Sequence, residues 1–308
     1  MVQGVSKLTR MSRRDALARL GSISAGRLLP AGLASRWVTA ALQAEAPPPL
    51  APGAPNSPER TALITAFRQK SDGIERAFEA RALKRDWEMP YRLFRPSRAS
   101  GKLPLVIYLH GSGGLGTDNQ KQMGLGNIFG TRVWALPETQ ARFPCYVVAP
   151  QTDRGWVRYG PPAAGDSVAT VIAGLGDGAR LVLELIDALR REFPIDERRL
   201  YITGQSMGGS GVWHLIAQRP DLFAAAVPCC GAETLDDITR AVAVPIWNFH
   251  GDADPSVPVA LSRDRIAALR KAGGDPIYTE YPGVRHESWQ WAYTEPALPR
   301  WLFSKRRT

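Results

Sequence analysis

Residues 200–211 read Leu-Tyr-Ile-Thr-Gly-Gln-Ser-Met-Gly-Gly-Ser-Gly, and the fold follows from them. Leu200 to Thr203 is a short apolar run of strand type, and Gly211 to Ala217 continues as helix. Between them Gly204-Gln205-Ser206-Met207-Gly208 has the form G-x-S-x-G. Between a strand and a helix, that pattern marks a reversal too tight for side chains two positions either side of the serine. Such a turn lifts the Ser206 hydroxyl above a sheet edge and aims the amide dipoles of the next helix at any anion formed there. Five such residues alone also suit an ordinary glycine-rich turn; the flanking strand and helix favour a nucleophile.

Outward from this turn, strands and helices alternate. Glu88 to Phe94, Leu105 to Leu109, Cys145 to Ala149, Ala224 to Val227, Ile246 to Phe249 and Ile277 to Tyr281 are expected as strands. Leu105-Val106-Ile107-Tyr108-Leu109 is apolar throughout, as a strand covered on both faces must be. Arg180 to Phe193 puts Leu181, Leu185 and Leu189 on one helical stripe and stops at Pro194. Pro258 to Ala272 is a helix opened by proline and closed by Gly273-Gly274, and a short helix ends the chain. The alternation predicts an α/β fold with a mostly parallel central sheet and helices on both faces.

A serine hydroxyl becomes a useful nucleophile at neutral pH only beside a base. The four histidines are His110, His214, His250 and His286. With the serine on a strand–helix turn, its partners follow in the order acid, then histidine. His110 precedes the serine, His214 lies inside the next helix, and His250 ends a strand with too little chain before it for the acid. His286, in a loop after the last strand, is the expected base. The acid belongs in His250-Gly251-Asp252-Ala253-Asp254-Pro255, which offers two aspartates. Asp254 lies further out over the sheet edge and suits the imidazole; Asp252 suits local backbone hydrogen bonds. The loop His110-Gly111-Ser112-Gly113-Gly114 is expected to supply the amide of Ser112 or Gly113 to an oxyanion hole, with the amide of Met207 as second donor. No lysine stands where a phosphate-binding loop needs one. The cysteines and histidines lack metal-ligand spacing, and this chemistry requires no cofactor.

Six stretches together carry a resemblance: YRLFRP (91–96), LHGSGG (109–114), CYVVAPQ (145–151), TGQSMGGSG (203–211), FHGDADPSVPV (249–259) and YPGVRHESW (281–289). Over residues 88–305 the chain resembles the α/β-hydrolase family of predicted peptidases, which is similar to feruloyl esterases and polyhydroxybutyrate depolymerases. The resemblance implies an α/β-hydrolase fold, Ser206, Asp254 and His286 as a triad, and Ser112 and Met207 as oxyanion donors. The expected reaction is hydrolysis of carboxylic esters through an acyl-enzyme, on feruloyl or short-chain acyl groups. A peptidase of the prolyl-oligopeptidase-like type and a catalytically silent binding module are the alternatives. An amide leaving group must be protonated as it departs, and nothing in the chain indicates a peptide-selecting groove. Trp156 and Trp289, with Tyr159, Trp291 and Tyr293 near them, are expected as substrate-pocket walls; loop packing is the other role open to them.

The ends of the chain speak to location rather than chemistry. Residues 1–46 carry seven Lys/Arg against two Asp/Glu, and Ser12-Arg13-Arg14-Asp15-Ala16-Leu17 resembles a twin-arginine export signal ending in Ala44-Glu45-Ala46. Residues 47–58 are half proline and are expected as an extended linker, with the hydrolase domain spanning 59–308. The expected location is periplasmic or secreted. The remaining 32 basic and 27 acidic residues are mixed, which gives nucleic acid no support as a partner. No apolar run reaches the roughly 18 residues of a membrane span. Cys145, Cys229 and Cys230 are an odd set, expected as buried thiols unless Cys145 bridges one of the pair.

Overall fold

The computed structural model describes residues 54–97, 100–159, 172–231 and 238–308. Residues 1–46, expected as an export signal, and most of the proline-rich stretch 47–58 lie outside the described residues. The helices are α1 (Pro58–Lys70), α2 (Ile128–Arg132), α3 (Pro137–Arg142), α4 (Asp177–Glu192), α5 (Met207–Gln218), α6 (Val259–Lys271), α7 (Trp289–Tyr293) and α8 (Ala297–Ser304). The strands are β1 (Phe78–Lys84), β2 (Glu88–Phe94), β3 (Leu103–Leu109), β4 (Tyr146–Pro150), β5 (Val157–Tyr159), β6 (Ile172–Leu175), β7 (Ile195–Gln205), β8 (Ala225–Cys229), β9 (Trp247–Gly251) and β10 (Ile277–Tyr281).

Eight strands form one sheet in the order β1-β2-β4-β3-β7-β8-β9-β10, and β5 pairs β6 separately. Only β2 runs against the rest: it is antiparallel to β1 and β4, and every other pairing in the sheet is parallel. The fold is therefore the expected one. Side chains of β3 alternate between two cores. Leu105, Ile107 and Leu109 pack with Leu181, Leu185 and Leu189 of α4 and with Val212 and Ile216 of α5. Val106 and Tyr108 point the other way, toward Phe67 of α1, Phe129 of α2, Tyr293 of α7 and Trp301 of α8. Burial on both faces is what makes β3, β4 and β8 apolar along their length, while β9 is buried throughout yet carries the polar residues Asn248 and His250.

Strand β1 and helix α1 are among the elements not foreseen. Strand β1 has a buried residue only at Phe78 and Leu83, because an edge strand needs little apolar patterning. Helix α1 is capped by Ser57, whose hydroxyl accepts the Arg60 N–H at 3.3 Å, and it begins with Pro58. A buried ion pair between Arg60 and Glu295, 3.0 Å apart, ties α1 to the C-terminal segment. Among the described residues no helix is long and apolar enough to cross a membrane. Cys145, Cys229 and Cys230 are buried free thiols, so no bridge joins them.

Candidate active site

The strand–turn–helix at Ser206 depends on two close approaches. A Cβ on Gly204 would lie 2.6 Å from the Gly208 carbonyl oxygen, and one on Gly208 would overlap the carbonyl of Leu109. Both positions must lack a side chain for α5 to start directly above β3 and β7. Ser206 itself has φ 52° and ψ −122°, outside the usual regions for an L residue, a conformation costing about 1–3 kcal/mol. It is held there by its N–H, which donates to the Cys229 carbonyl at 2.9 Å, and by its carbonyl, which accepts the Ser210 N–H at 3.0 Å.

Loops from three strand ends meet at this serine. The Ser206 hydroxyl donates to His286 Nε2 at 2.8 Å, and His286 Nδ1–H donates to Asp254 Oδ2 at 2.7 Å. Asp254, not Asp252, is thus the carboxylate joined to the imidazole. Asp252 accepts the Gly283 N–H at 2.7 Å and ties its loop to the one bearing His286. Asp254 Oδ1 accepts the N–H groups of Ser256 at 2.8 Å and Val257 at 3.0 Å. Burial alone would raise the Asp254 pKa, but hydrogen bonds from His250, His286, Val257 and Ser256 outweigh it and hold the carboxyl well below the usual range. The acid is therefore ionised wherever the fold persists near neutrality.

The neighbouring strands β3 and β7 pair Leu109 with Gly204, so the loops that leave them emerge side by side. Ser112 opens a short 3-10 turn after β3, and Met207 is the first residue of α5. Among the described hydrogen bonds neither N–H has an acceptor, as a pair of donors awaiting an anion requires. Asn127 anchors this loop, its Oδ1 accepting the Gly111 N–H at 3.1 Å and the Tyr108 hydroxyl at 2.9 Å. Sequence carried no signal for Asn127, because its value lies in a contact with Gly111 across a loop.

His110 stands beneath the same loop. Its Nδ1–H donates to the Gly111 carbonyl at 2.8 Å and its Nε2 accepts the Thr152 N–H at 3.2 Å, so the ring is neutral. Burial pushes its pKa down to about 4. In the unfolded chain a histidine titrates near 6.5. As pH falls from 6.5 toward 4 the unfolded state gains a proton that the folded state refuses, and stability drops by about 3 kcal/mol. Urea unfolding at pH 6.5 and pH 4.5 measures this; His110→Asn is expected to lose less stability across that interval than the wild type. Equal losses would mean that His110 is not the group responsible.

The aromatic residues divide. Trp156 is fully buried, its Nε1–H donates to the His110 carbonyl at 2.8 Å, and its ring packs 4.7 Å from that of His110. The expectation of Trp156 as a pocket wall is corrected: the indole props the loop from inside and presents no surface to a substrate. Tyr293 is also internal, bonded to Thr203 at 2.8 Å. Trp289 stands perpendicular to the His286 ring with centroids 5.4 Å apart, fixing one face of the imidazole. Of the Tyr159 side chain and residues 160–171 nothing is described. A residue not anticipated is Leu125, 79% exposed and held at φ 46°. Its neighbour Gly126 lies against the Trp289 indole and the Gln205 amide.

His214 is buried in α5, neither ring nitrogen has a partner among the described residues, and burial lowers its pKa. Cys230, Asp254 and His286 bring ligand-type atoms within 4.8 Å of one another. The carboxylate and imidazole already bond each other, and burial pushes the Cys230 thiol up to about 12.

A family model described as Phospholipase/Carboxylesterase matches residues 97–294. A thermostable esterase of known structure superposes with a TM-score of 0.69 at 38% identity, covering 76% of this chain and 64% of its own. A bifunctional acetylxylan esterase/xylanase of Neocallimastix patriciarum is 34% identical over 94 residues, 30% of this chain and 14% of that protein. A cutinase of Thermobifida fusca is 35% identical over 92 residues, 30% of each chain. The chain thus spans less than half the length of these curated relatives. The acylaminoacyl peptidase of Pyrococcus horikoshii, at 17% identity and a TM-score of 0.54 over 75% of this chain and 42% of its own, shares the fold alone.

Proposed function

The chain belongs to the phospholipase/carboxylesterase family, and on that footing we propose that it is a serine hydrolase cleaving carboxylic esters through an acyl-enzyme on Ser206. The hydrogen-bonded line from Ser206 through His286 to Asp254 carries this proposal. His286 Nε2 takes the Ser206 proton as Oγ attacks the ester carbonyl, and Asp254 stabilises the resulting imidazolium. The N–H groups of Ser112 and Met207 receive the oxyanion. Collapse expels the alcohol, which takes its proton from His286; water then repeats the sequence on the acyl-enzyme and releases the acid. Esters are favoured over amides because the alkoxide is the easier group to expel and because the relatives above are named as esterases. Export fits the arginine pair at 13–14.

Leu125 is the acyl-side contact in this proposal: an exposed apolar residue in a left-handed conformation costs energy that burial against an alkyl or aryl group would offset. The test is hydrolysis of p-nitrophenyl acetate, butyrate and octanoate, methyl ferulate and alanine p-nitroanilide, by cell fractions and purified enzyme. Ester turnover in the exported fraction, a negligible anilide rate and a fluorophosphonate adduct on Ser206 are expected. Leu125→Asn, which keeps a residue tolerant of positive φ, is expected to raise KM for octanoate about 5–10-fold while barely changing acetate. Preferred anilide cleavage would establish the peptidase alternative, and a folded protein that neither labels nor turns over any substrate would leave a binding module.

A further inference from the structure

We propose that His250 is a positioning residue for the acid of the triad, holding Asp254 Oδ2 on the line to His286; the inference rests on the hydrolase mechanism above and deepens it. His250 is the fourth residue of β9 and is fully buried. Its Nε2 lies 3.0 Å from the Val257 carbonyl and 3.1 Å from Asp254 Oδ2. Both partners only accept, so this nitrogen carries the proton. Its Nδ1 lies 2.8 Å from the Ser262 hydroxyl, which is buried on α6 and donates to the bare nitrogen. One hydroxyl from α6 thereby selects the tautomer that serves the acid.

The consequence is a carboxylate held at both oxygens. Backbone N–H groups of Ser256 and Val257 pin Oδ1, while Oδ2 is shared by two imidazoles. Without His250, Oδ2 would be held only by His286, the ring it has to orient. The carboxylate could then swing about Oδ1, and the imidazole would lose alignment with Ser206. That loss is felt as the proton moves, not when substrate binds, because His250 has no exposed surface for a substrate to touch.

The experiment compares wild type, His250→Ala, His250→Gln and Ser262→Ala by steady-state hydrolysis of p-nitrophenyl butyrate, with melting temperatures as the folding control. His250→Ala is expected to lower kcat about 10- to 100-fold with KM within about twofold, the cost of a misplaced catalytic group. His250→Gln places an amide N–H where Nε2–H stood and is expected to restore most of kcat. Ser262→Ala keeps the ring but frees its tautomer, and is expected to give a smaller fall of the same kind; it carries the test should His250→Ala not fold. A folded His250→Ala with unchanged kcat, a change confined to KM, or a Gln variant as impaired as the Ala variant would overturn the inference. Failure of the wild type to label with fluorophosphonate would instead overturn the hydrolase assignment beneath it.

Discussion

Ser206→Ala is expected to lower kcat on p-nitrophenyl butyrate by about 10⁵- to 10⁶-fold and to abolish fluorophosphonate labelling, with the melting temperature preserved. The substitution deletes one oxygen and leaves the turn intact, since alanine meets the same backbone demand at φ 52° that serine already meets. His286 loses only the hydroxyl 2.8 Å from Nε2 and keeps its bond to Asp254. What survives is substrate held near the N–H groups of Ser112 and Met207, which in other serine hydrolases leaves about 10³–10⁴ over water. A variant with a tenth of the wild-type rate would move the nucleophile elsewhere, because no other group stands within hydrogen-bond reach of His286 Nε2 among the described contacts.

Gly208→Ala is expected to prevent folding or to lower the melting temperature by about 10 °C or more, with activity falling about 100-fold even in the folded fraction. The added methyl would occupy the space of the Leu109 carbonyl, which is backbone of a fully buried strand and cannot rotate away. Ordinary overpacking costs about 1–3 kcal/mol where side chains can yield; here α5 must separate from β3, and Ser206 and the Met207 N–H move with it. Gly113→Ala is the control for stability. No atom lies within 4 Å of a Cβ built there, so its melting temperature is expected to match wild type. Equal stability of the two variants would mean that the approach of α5 to β3 is not what the turn requires.

Much of the fold was legible because its signals are local. Strands β2 and β10 match the expected spans, and the apolar runs of β3 and β4 follow from burial on both faces. Strand β1 escaped because an edge strand of alternating charge, Phe78-Glu79-Ala80-Arg81, has no pattern to distinguish it from a loop. Trp156 was misjudged because sequence gives nearness along the chain, whereas its use depends on the face it turns toward His110. His250 was set aside as a base on chain order; nothing in that order revealed that its ring shares Asp254 with His286.

From the sequence alone came the tight turn at 204–208, the alternation of strands and helices, and the order of serine, acid and histidine. Each is set by glycine sterics, by apolar periodicity or by the succession of loops along one sheet edge. Only the tertiary structure decided which aspartate meets the imidazole, that Trp156 supports rather than lines, and that Leu125 stands exposed. Those outcomes depend on contacts between residues far apart in the chain. A hydrogen bond of 2.7 Å between Asp254 and His286, 32 positions apart, is created when β9 and β10 pair and their loops close over the same edge.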